Sequence, residues 1–231
     1  MMAIQEGDFV KLSYTGSVDG RIFDTTDEEE AKVAGIHNPQ GSYGPVVVRA
    51  GSHHIILGLD EALIGKDEGF EGDIEVPPEK AYGLHDRKRV ESFPKNKFKE
   101  KPVKGMTIKV EKLGEGTVID LIGGRVIADF NHPLSGKTIH YRMKIESKVE
   151  DLIDKVQGLI RLYAGKDMEI SFLDGILTIN LPSGINYDRL WVTWRSRIMH
   201  ESFEAIPEIK EIILIETLKR PETSGQETPE E

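Results

Sequence analysis

Residues 10–26 read VKLSYTGSVDGRIFDTT, and this stretch decides the fold of the first part of the chain. Its apolar residues alternate with polar ones up to Tyr14, and a period of two is typical of a half-buried β-strand. Asp19-Gly20 is a two-residue hairpin signal, because both positions of such a turn favour a positive φ. The stretch therefore predicts an antiparallel hairpin that returns through residues 21–24.

The sequence after this hairpin predicts a loop, a helix and a further strand. Residues 27–45 are polar and rich in Gly, Pro and Asn, which favours a long loop. Residues 55–64 predict a short helix that is capped by Ser52 and stopped by Gly65. Apolar residues alternate again over 70–76, and Pro77-Pro78 then end the strand.

The remaining sequence divides into a lysine-rich middle part and a mixed last third. Residues 86–128 contain short strand-like pieces around 107–113, 117–122 and 125–128. From residue 150 the pattern predicts helix, strand, strand, helix, strand, with Gly165 ending the first helix and Asp174-Gly175 turning the hairpin. The composition from residue 220 onward predicts a disordered tail.

Charge and composition exclude several classes of protein. The 231 residues carry a formal net charge of −10, which argues against a nucleic-acid coat. The basic run that begins at Arg87-Lys88-Arg89 is interpreted as a solvated face. There are no cysteines, so a disulfide framework and a thiolate metal site are both excluded. The N-terminus lacks a signal-peptide pattern and no apolar run is long enough to span a membrane, so a cytoplasmic protein without membrane partners is expected.

Motifs for nucleotide, metal or covalent chemistry are incomplete. Gly136-Lys137-Thr138 resembles the end of a phosphate-binding loop, but Asn131 stands where the leading glycine belongs. His200-Glu201 begins like a zinc-protease helix, yet Glu204 replaces the second histidine. His53 and His54 are adjacent, so they would point in different directions as metal ligands, and a structural or surface role is expected for each. No metal, no cofactor and no catalytic nucleophile are predicted.

A set of short motifs resembles the FK506-binding-protein (FKBP) type of prolyl isomerase. The opening hairpin, the segment Gly51-Ser52 with Ile55 to Leu63, and the segment Pro77 to Gly83 follow one another in the order of that family. About 45 residues interrupt the pattern after Tyr82-Gly83, where SlyD-like members carry an insert-in-flap chaperone domain. The segment Asn131 to Lys137 resembles the return to the core in those members. The length is similar to that of the long archaeal type.

An α+β fold in three parts is expected. The resemblance covers about residues 1–148 and implies a half-open antiparallel sheet that wraps a short helix, with a β-rich insert-in-flap domain. The pattern of helices and strands beyond it predicts a separate α+β C-terminal domain. The expected boundaries are 1–85 plus 129–148 for the isomerase domain, 86–128 for the insert, 149–219 for the C-terminal domain and 220–231 for the tail.

The resemblance also implies a proline-binding pocket and its residues. A dry aromatic pocket would favour the twisted X-Pro bond over the planar, well-hydrated one, so no covalent bond needs to break. Phe23, Tyr141 and Leu59 would hold the proline ring, while Ile56 N–H and the Tyr82 hydroxyl would bind substrate carbonyls. Leu59 and Tyr141 replace the tryptophan and phenylalanine that are frequent in the family. The implied pocket comprises Tyr14, Phe23, Asp24, Ile55, Ile56, Leu59, Tyr82 and Tyr141.

The expected partners are unfolded or nascent polypeptides with X-Pro bonds. Phe93, Phe98, Val103 and Met106 lie among lysines in the insert and are the predicted client-binding residues. A homodimer is also predicted, because the second C-terminal helix carries Leu190, Trp191, Trp194 and Ile198 on one side. Packing of both tryptophans on the domain's own sheet is the alternative. Two other functions stay open, a binding-only chaperone with negligible isomerase rate and a metal-delivery protein, although the tail lacks His and Cys.

Overall fold

The computed structural model describes residues 3–218, which form three β-sheets and four α-helices. The strands are β1 (Phe9–Val18), β2 (Arg21–Thr25), β3 (Val46–Arg49), β4 (Glu71–Val76), β5 (Val90–Pro94), β6 (Thr107–Val110), β7 (Gly114–Ile122), β8 (Arg125–Asp129), β9 (Ile139–Val149), β10 (Glu169–Leu173), β11 (Ile176–Leu181) and β12 (Glu211–Glu216). The helices are α1 (Glu28–Val33), α2 (Leu57–Leu63), α3 (Leu152–Ala164) and α4 (Arg189–Ala205), and short 3-10 turns cover Pro78–Lys80, Arg87–Arg89, Lys95–Lys97 and Ile185–Tyr187.

The first sheet, here called the main sheet, has the strand order β2-β1-β9-β4 and is antiparallel throughout. β3 pairs with the beginning of β1, on the edge where β2 pairs with its end. The predicted hairpin between β1 and β2 is confirmed. Asp19 and Gly20 have φ of 51° and 74°, which is the pair of positive angles that a type I′ turn needs.

α2 lies in the curve of the main sheet and buries Leu59 and Leu63 in its core. A Cβ at Gly58 would lie 2.4 Å from Val76 Cγ1, so this glycine lets the helix approach β4 closely. The predicted α+β class, a curled sheet around a short helix, is therefore confirmed. The predicted Ser52 cap is wrong, because Ile56 occupies the N-cap position and makes no side-chain capping bond.

Residues 27–45 are not entirely loop, because α1 lies within them. The Asp27 side chain accepts a hydrogen bond from the backbone N–H of Glu30 and caps the helix. Ala31 is the buried residue of this helix, and four of its six residues are charged. A helix with a single apolar anchor gives no periodic signal, which explains the wrong expectation.

The second sheet, here called the insert sheet, has the order β5-β8-β7-β6 and is antiparallel. Its core contains Phe93, Val118, Val126 and Phe130. A Cβ at Gly116 would lie 2.6 Å from the Phe130 ring, so this position must be small. Phe130 packs with the insert although it lies two residues beyond the expected end of that domain.

The last third forms the C-terminal unit, defined here as β10–β12 with α3 and α4. The predicted order of helix, strand, strand, helix, strand is confirmed. The sheet order is β10-β11-β12, with β12 parallel to β11, and the helices pack on its apolar side. Gly165 ends α3 with a φ of 63°, and Asp174-Gly175 form the predicted turn with φ of 53° and 87°.

The apolar residues of α4 differ in their burial. Trp191 and Ile198 are fully buried in the core of the C-terminal unit. Leu190 and Trp194 are 51% and 40% exposed. All four residues lie within about 100° around the helix, as their spacing predicts, but only Leu190 and Trp194 at the outer edge of this stripe stay exposed, because the core of the C-terminal unit covers the inner edge.

No helix among residues 3–218 is long and apolar enough to cross a membrane. The tail from residue 220, for which disorder was predicted, lies outside the described residues.

Candidate active site

A cavity of about 350 Å³ opens between the concave side of the main sheet and the beginning of α2. Seven of the eight pocket residues implied by the sequence line it, although they come from well-separated parts of the chain. The lining residues are Tyr14, Asp24, His54, Ile55, Ile56, Leu59, Tyr82 and Tyr141.

Phe23, the eighth implied residue, supports the wall of the cavity. Its ring packs edge-to-face on Tyr82 and Tyr141, with centroid distances of 6.1 and 6.2 Å. Tyr141 also packs edge-to-face on Tyr14, with centroids 5.7 Å apart. Such contacts between rings hold each aromatic side chain in one orientation.

Gly16 is a site residue that sequence reasoning missed. A Cβ at this position would lie 2.7 Å from Tyr141 Cε1 and 2.9 Å from Phe23 Cζ, closer than packed atoms allow. The backbone of β1 therefore has to be bare here for the two rings to meet. The glycine follows Tyr14-Thr15 in an otherwise regular strand, and that interruption was the available signal.

The polar side chains of the cavity are a carboxylate, three phenols and the imidazole of His54. The Tyr14 hydroxyl donates a hydrogen bond of 3.1 Å to Asp24 Oδ2. Burial raises the pKa of Asp24, although bonds from Tyr14 and the Thr25 backbone oppose the shift. Burial, reinforced by the neighbouring Asp24 carboxylate, also raises the pKa of Tyr14, Tyr82 and Tyr141. The phenols therefore stay protonated at neutral pH and can donate hydrogen bonds.

A backbone donor belongs to a lining residue, Ile56, at the beginning of α2. Ile56 is the N-cap residue, and its carbonyl accepts hydrogen bonds from Leu59 N and Asp60 N. Its own N–H has no acceptor among residues 3–218. Leu59 is buried below it and forms an apolar floor.

Tyr82 is held from the outside by the segment that returns from the insert. The His132 ring stacks on it with centroids 4.4 Å apart and planes 1° apart. The backbone N–H of Leu134 donates to His132 Nδ1 at 3.2 Å, which fixes the histidine ring. Tyr82 thus lies between the edge of Phe23 and the face of His132.

His54 is a second residue that sequence reasoning missed as part of the cavity. Its side chain is only 1% exposed and contacts Glu201 of α4, which is 147 residues away in the chain. A structural or surface role was expected for this histidine from the sequence, and the structure places it in the cavity wall.

The four predicted client residues occupy different depths of the insert sheet. Phe93 is buried, with edge-to-face contacts to Phe98 and Phe130. Phe98 and Met106 are partly buried and line a shallow depression of about 240 Å³. Val103 is 55% exposed. Phe93 therefore belongs to the core of the insert, and the four predicted client residues are not equally accessible.

Three family models match the chain in sequence order. The model for FKBP-type peptidyl-prolyl cis-trans isomerase matches residues 2–112, the model for the FKBP26 IF domain matches residues 93–134, and the model for the FKBP26 C-terminal part matches residues 153–219. The last match covers the third of the chain for which the sequence analysis found no resemblance.

The chain is similar in sequence to several peptidyl-prolyl cis-trans isomerases. The chain is 37% identical over 145 residues to a short-type peptidyl-prolyl cis-trans isomerase of Methanocaldococcus jannaschii, a match that covers 62% of this chain and 92% of the relative. It is 30% identical over 106 residues to the isomerase SlyD of Helicobacter pylori, covering 44% of this chain but only 57% of that relative. A structure of the three FKBP domains of wheat FKBP73 aligns with 65% of this chain and 42% of its own, at a TM-score of 0.36 and 18% identity.

Proposed function

This chain belongs to the FKBP-type peptidyl-prolyl cis-trans isomerases, and we propose that its aromatic cavity is where the X-Pro bond of a polypeptide is twisted. One observation carries the proposal. Residues from β1, β2, β9, the beginning of α2 and the loop after β4 converge on this cavity, and all of them except His54 are residues that the family pattern implies.

The chemistry follows from the electronic structure of the amide. Rotation about the X-Pro bond faces a barrier of roughly 20 kcal/mol, because the planar amide is stabilised by resonance. The twisted amide has less C–N double-bond character and a smaller dipole, so it loses less hydration on entering an apolar site. Rings at Phe23 and Tyr141 with a floor at Leu59 provide such a site, and catalysis is preferential binding of the twisted state.

Two donors would orient the substrate backbone. The Ile56 N–H has no acceptor among residues 3–218 and is available for a substrate carbonyl. The Tyr82 hydroxyl stays protonated because burial raises its pKa, and it would donate to a second carbonyl. Asp24 keeps the Tyr14 ring in place through their hydrogen bond.

Tyr82→Phe tests the second donor. It removes one hydrogen bond to the substrate while keeping the stacked ring, and a net bond contributes about 1 kcal/mol, so kcat/KM for a proline tetrapeptide should fall roughly five-fold. Tyr187→Phe is the matched control, because Tyr187 is 94% exposed in the turn before α4. A folded Tyr82→Phe protein with unchanged kcat/KM would remove the hydroxyl from the mechanism.

The insert sheet is proposed to bind unfolded polypeptide through Phe98, Val103 and Met106. The depression between Phe98 and Met106 is lined by these two residues with Pro102 and Ile108, and by polar residues that include Lys99 and Lys109. Met is a flexible side chain that adapts to different partners. Phe93 supports this surface from below through its contact with Phe98. Exposed apolar surface of this kind is typical of a site that accepts many sequences.

The connection between insert and cavity supports transfer of a client from one to the other. The Asn131 amide donates to Asp86 O at 2.9 Å and to Asp129 Oδ1 at 2.7 Å, so it ties the outgoing and returning chains together. His132, which stacks on Tyr82, follows directly. A client held on the insert would therefore present its prolines to the cavity at a high effective concentration.

We further propose that the C-terminal unit joins two copies of the chain. β12 is an edge strand that pairs only with β11 among the described strands, and residues 212–215 read Ile-Ile-Leu-Ile. Ile213 and Ile215 are about 40% exposed on the side away from the helices. An apolar edge strand is a surface that proteins normally cover, and a second copy would cover it by two-fold symmetry.

Light scattering decides the oligomeric state. The full chain should have about twice its mass of 25.9 kDa at micromolar concentration, and a double change of Ile213 and Ile215 to Lys should halve it. Val33→Lys is the control, because Val33 is an exposed apolar residue on α1. A wild-type chain that runs as a monomer contradicts the proposal.

A further inference from the structure

The segment between β3 and α2 contributes three residues to the cavity lining, and a buried carboxylate of α2 holds it in place. Asp60 Oδ1 accepts from the Gly51 N–H and Oδ2 accepts from the His53 N–H, each at 2.9 Å. Asp60 is almost completely buried. These bonds fix residues 51–53. Asp60 makes no hydrogen bond to His54, Ile55 or Ile56.

His54 is fixed from the other side by the C-terminal unit. The His54 Nε2 atom lies 2.9 Å from Glu201 Oε2, and the backbone N–H of Arg49 donates to His54 Nδ1 at 3.1 Å. Because Nδ1 accepts a hydrogen bond, the neutral ring carries its proton on Nε2, and this N–H donates a hydrogen bond to Glu201. The imidazole is thus locked in one tautomer and one orientation directly before Ile55 and Ile56.

Glu201 itself is a fully hydrogen-bonded, buried carboxylate. Its Oε1 atom accepts from the Tyr163 hydroxyl at 2.8 Å and from Arg197 Nε, while Oε2 accepts from His54. Burial works to raise the pKa of Glu201, but the three donors outweigh burial and the pKa is lowered. The residue is only 4% exposed, so these donors take the place of water.

The C-terminal unit is seated closely enough to act as a fixed support. A Cβ at Gly158 of α3 would lie 2.6 Å from Val47 Cβ, so the helix backbone touches β3 directly. Phe9 of β1 packs into the core of the C-terminal unit. Arg49, at the end of β3, makes an ion pair of 2.9 Å with Glu204 of α4.

We propose that Glu201 is a positioning residue for the isomerase cavity: through His54 it fixes Ile55 and Ile56, and with them the free N–H of Ile56. The inference rests on the proposed assignment of the cavity as the isomerase site. The C-terminal unit then supplies part of the support of the active site, in addition to any role in assembly.

Glu201→Gln is the informative change, since it keeps size and removes one acceptor. Tyr163 and Arg197 both donate at Oε1, and a guanidinium cannot accept a hydrogen bond, so the amide oxygen of Gln takes that side and its NH₂ faces the His54 Nε2–H. The His54 ring cannot restore the bond by changing tautomer, because Nδ1–H would then face the Arg49 N–H. We expect the His54 ring and the beginning of α2 to shift, with KM for a proline tetrapeptide rising and kcat/KM falling roughly ten-fold.

Tyr163→Phe is the matched control. It also removes one buried hydrogen bond to Glu201, at Oε1, but leaves the link from Oε2 to His54 intact. It should lower the Tm with KM unchanged. A loss of folded protein lowers the active fraction and the apparent kcat but not KM, so KM separates positioning from mere destabilisation.

NMR gives a readout that is independent of turnover. The ¹⁵N shifts of the wild-type His54 ring should show an unprotonated Nδ1 and a protonated Nε2, and Glu201→Gln should move them together with the Ile56 amide signal. Tyr163→Phe should leave the Ile56 signal in place.

If Glu201→Gln does not fold, His54→Gln and His54→Asn replace it as the test. The Gln side chain keeps a donor toward Glu201, whereas the Asn side chain keeps only an acceptor for the Arg49 N–H. His54→Gln should therefore have the lower KM of the two.

The proposal is overturned if folded Glu201→Gln has the wild-type KM and Ile56 signal, or if His54→Asn and His54→Gln have the same KM. A failure of the cavity assignment looks different. In that case a proline peptide leaves the Ile56 amide signal of the wild-type chain unchanged, and Tyr82→Phe retains full activity.

Discussion

Phe23→Ala should lower kcat/KM for a proline tetrapeptide roughly 30-fold while the protein stays folded, since losing about 2 kcal/mol of transition-state binding has that effect. The Phe23 ring contacts both Tyr82 and Tyr141, and Gly16 is bare so that it can reach them. Without the ring, water enters the wall and Tyr141 loses the neighbour that holds it. A hydrated site favours the planar amide, so the barrier to rotation rises.

Phe203→Ala is the matched control for this change. Phe203 is 44% exposed on α4 and is not among the residues that line the cavity, so its removal should leave kcat/KM unchanged. Circular dichroism and the Tm establish that both variants are folded. Wild-type kcat/KM in a folded Phe23→Ala protein would show that the aromatic cavity is not the site of isomerisation.

Local signals in the sequence predicted the parts of the fold that depend on neighbouring residues. Asp19-Gly20 and Asp174-Gly175 predicted hairpins, because only a few residue types accept the positive φ that these turns require. The helical period of α3 and its Gly165 stop were equally readable. Each of these features is decided within a few residues of chain.

Features that depend on distant partners were not readable from the sequence. Phe93 and Phe98 lie in the same lysine-rich run, and only the pairing of β5 with β8 decides that Phe93 faces the insert core. The burial of the inner edge of the α4 stripe was missed for the same reason. The link from His54 to Glu201 joins residues 147 positions apart, and the incomplete metal motifs in which the two residues stand give no sign of it.

The residues of the cavity were predictable only as a set. Taken singly, Phe23, Ile55 and Tyr141 are ordinary core residues, and the family order of the motifs was what pointed to a pocket. The order of the motifs does not indicate the residues that hold the pocket residues in place. Gly16 acts by lacking a side chain and His54 acts through its partner, so neither has a chemical signature of its own.

Removal of the insert should separate catalysis on peptides from catalysis on proteins. Deletion of residues 86–130 with a short glycine joint takes out the whole insert sheet and also Phe130, which would otherwise be left exposed. The ends to be joined are close, because the Asn131 amide nitrogen lies 3.3 Å from His85 Nε2. The cavity lining stays complete, so kcat/KM for a proline tetrapeptide should change by no more than about three-fold.

Catalysis of proline-limited refolding of an unfolded protein should instead fall on the order of 100-fold, because the deletion removes the effective concentration that a second binding site provides. A full-length variant with Val103→Lys and Met106→Lys should reproduce part of this loss without removing the sheet. Ile122→Lys serves as its control, since Ile122 is exposed in the insert but lies outside the depression formed by Phe98 and Met106. Equal slowing of the peptide and the protein substrate by the deletion would mean that the insert supports the cavity and does not hold clients.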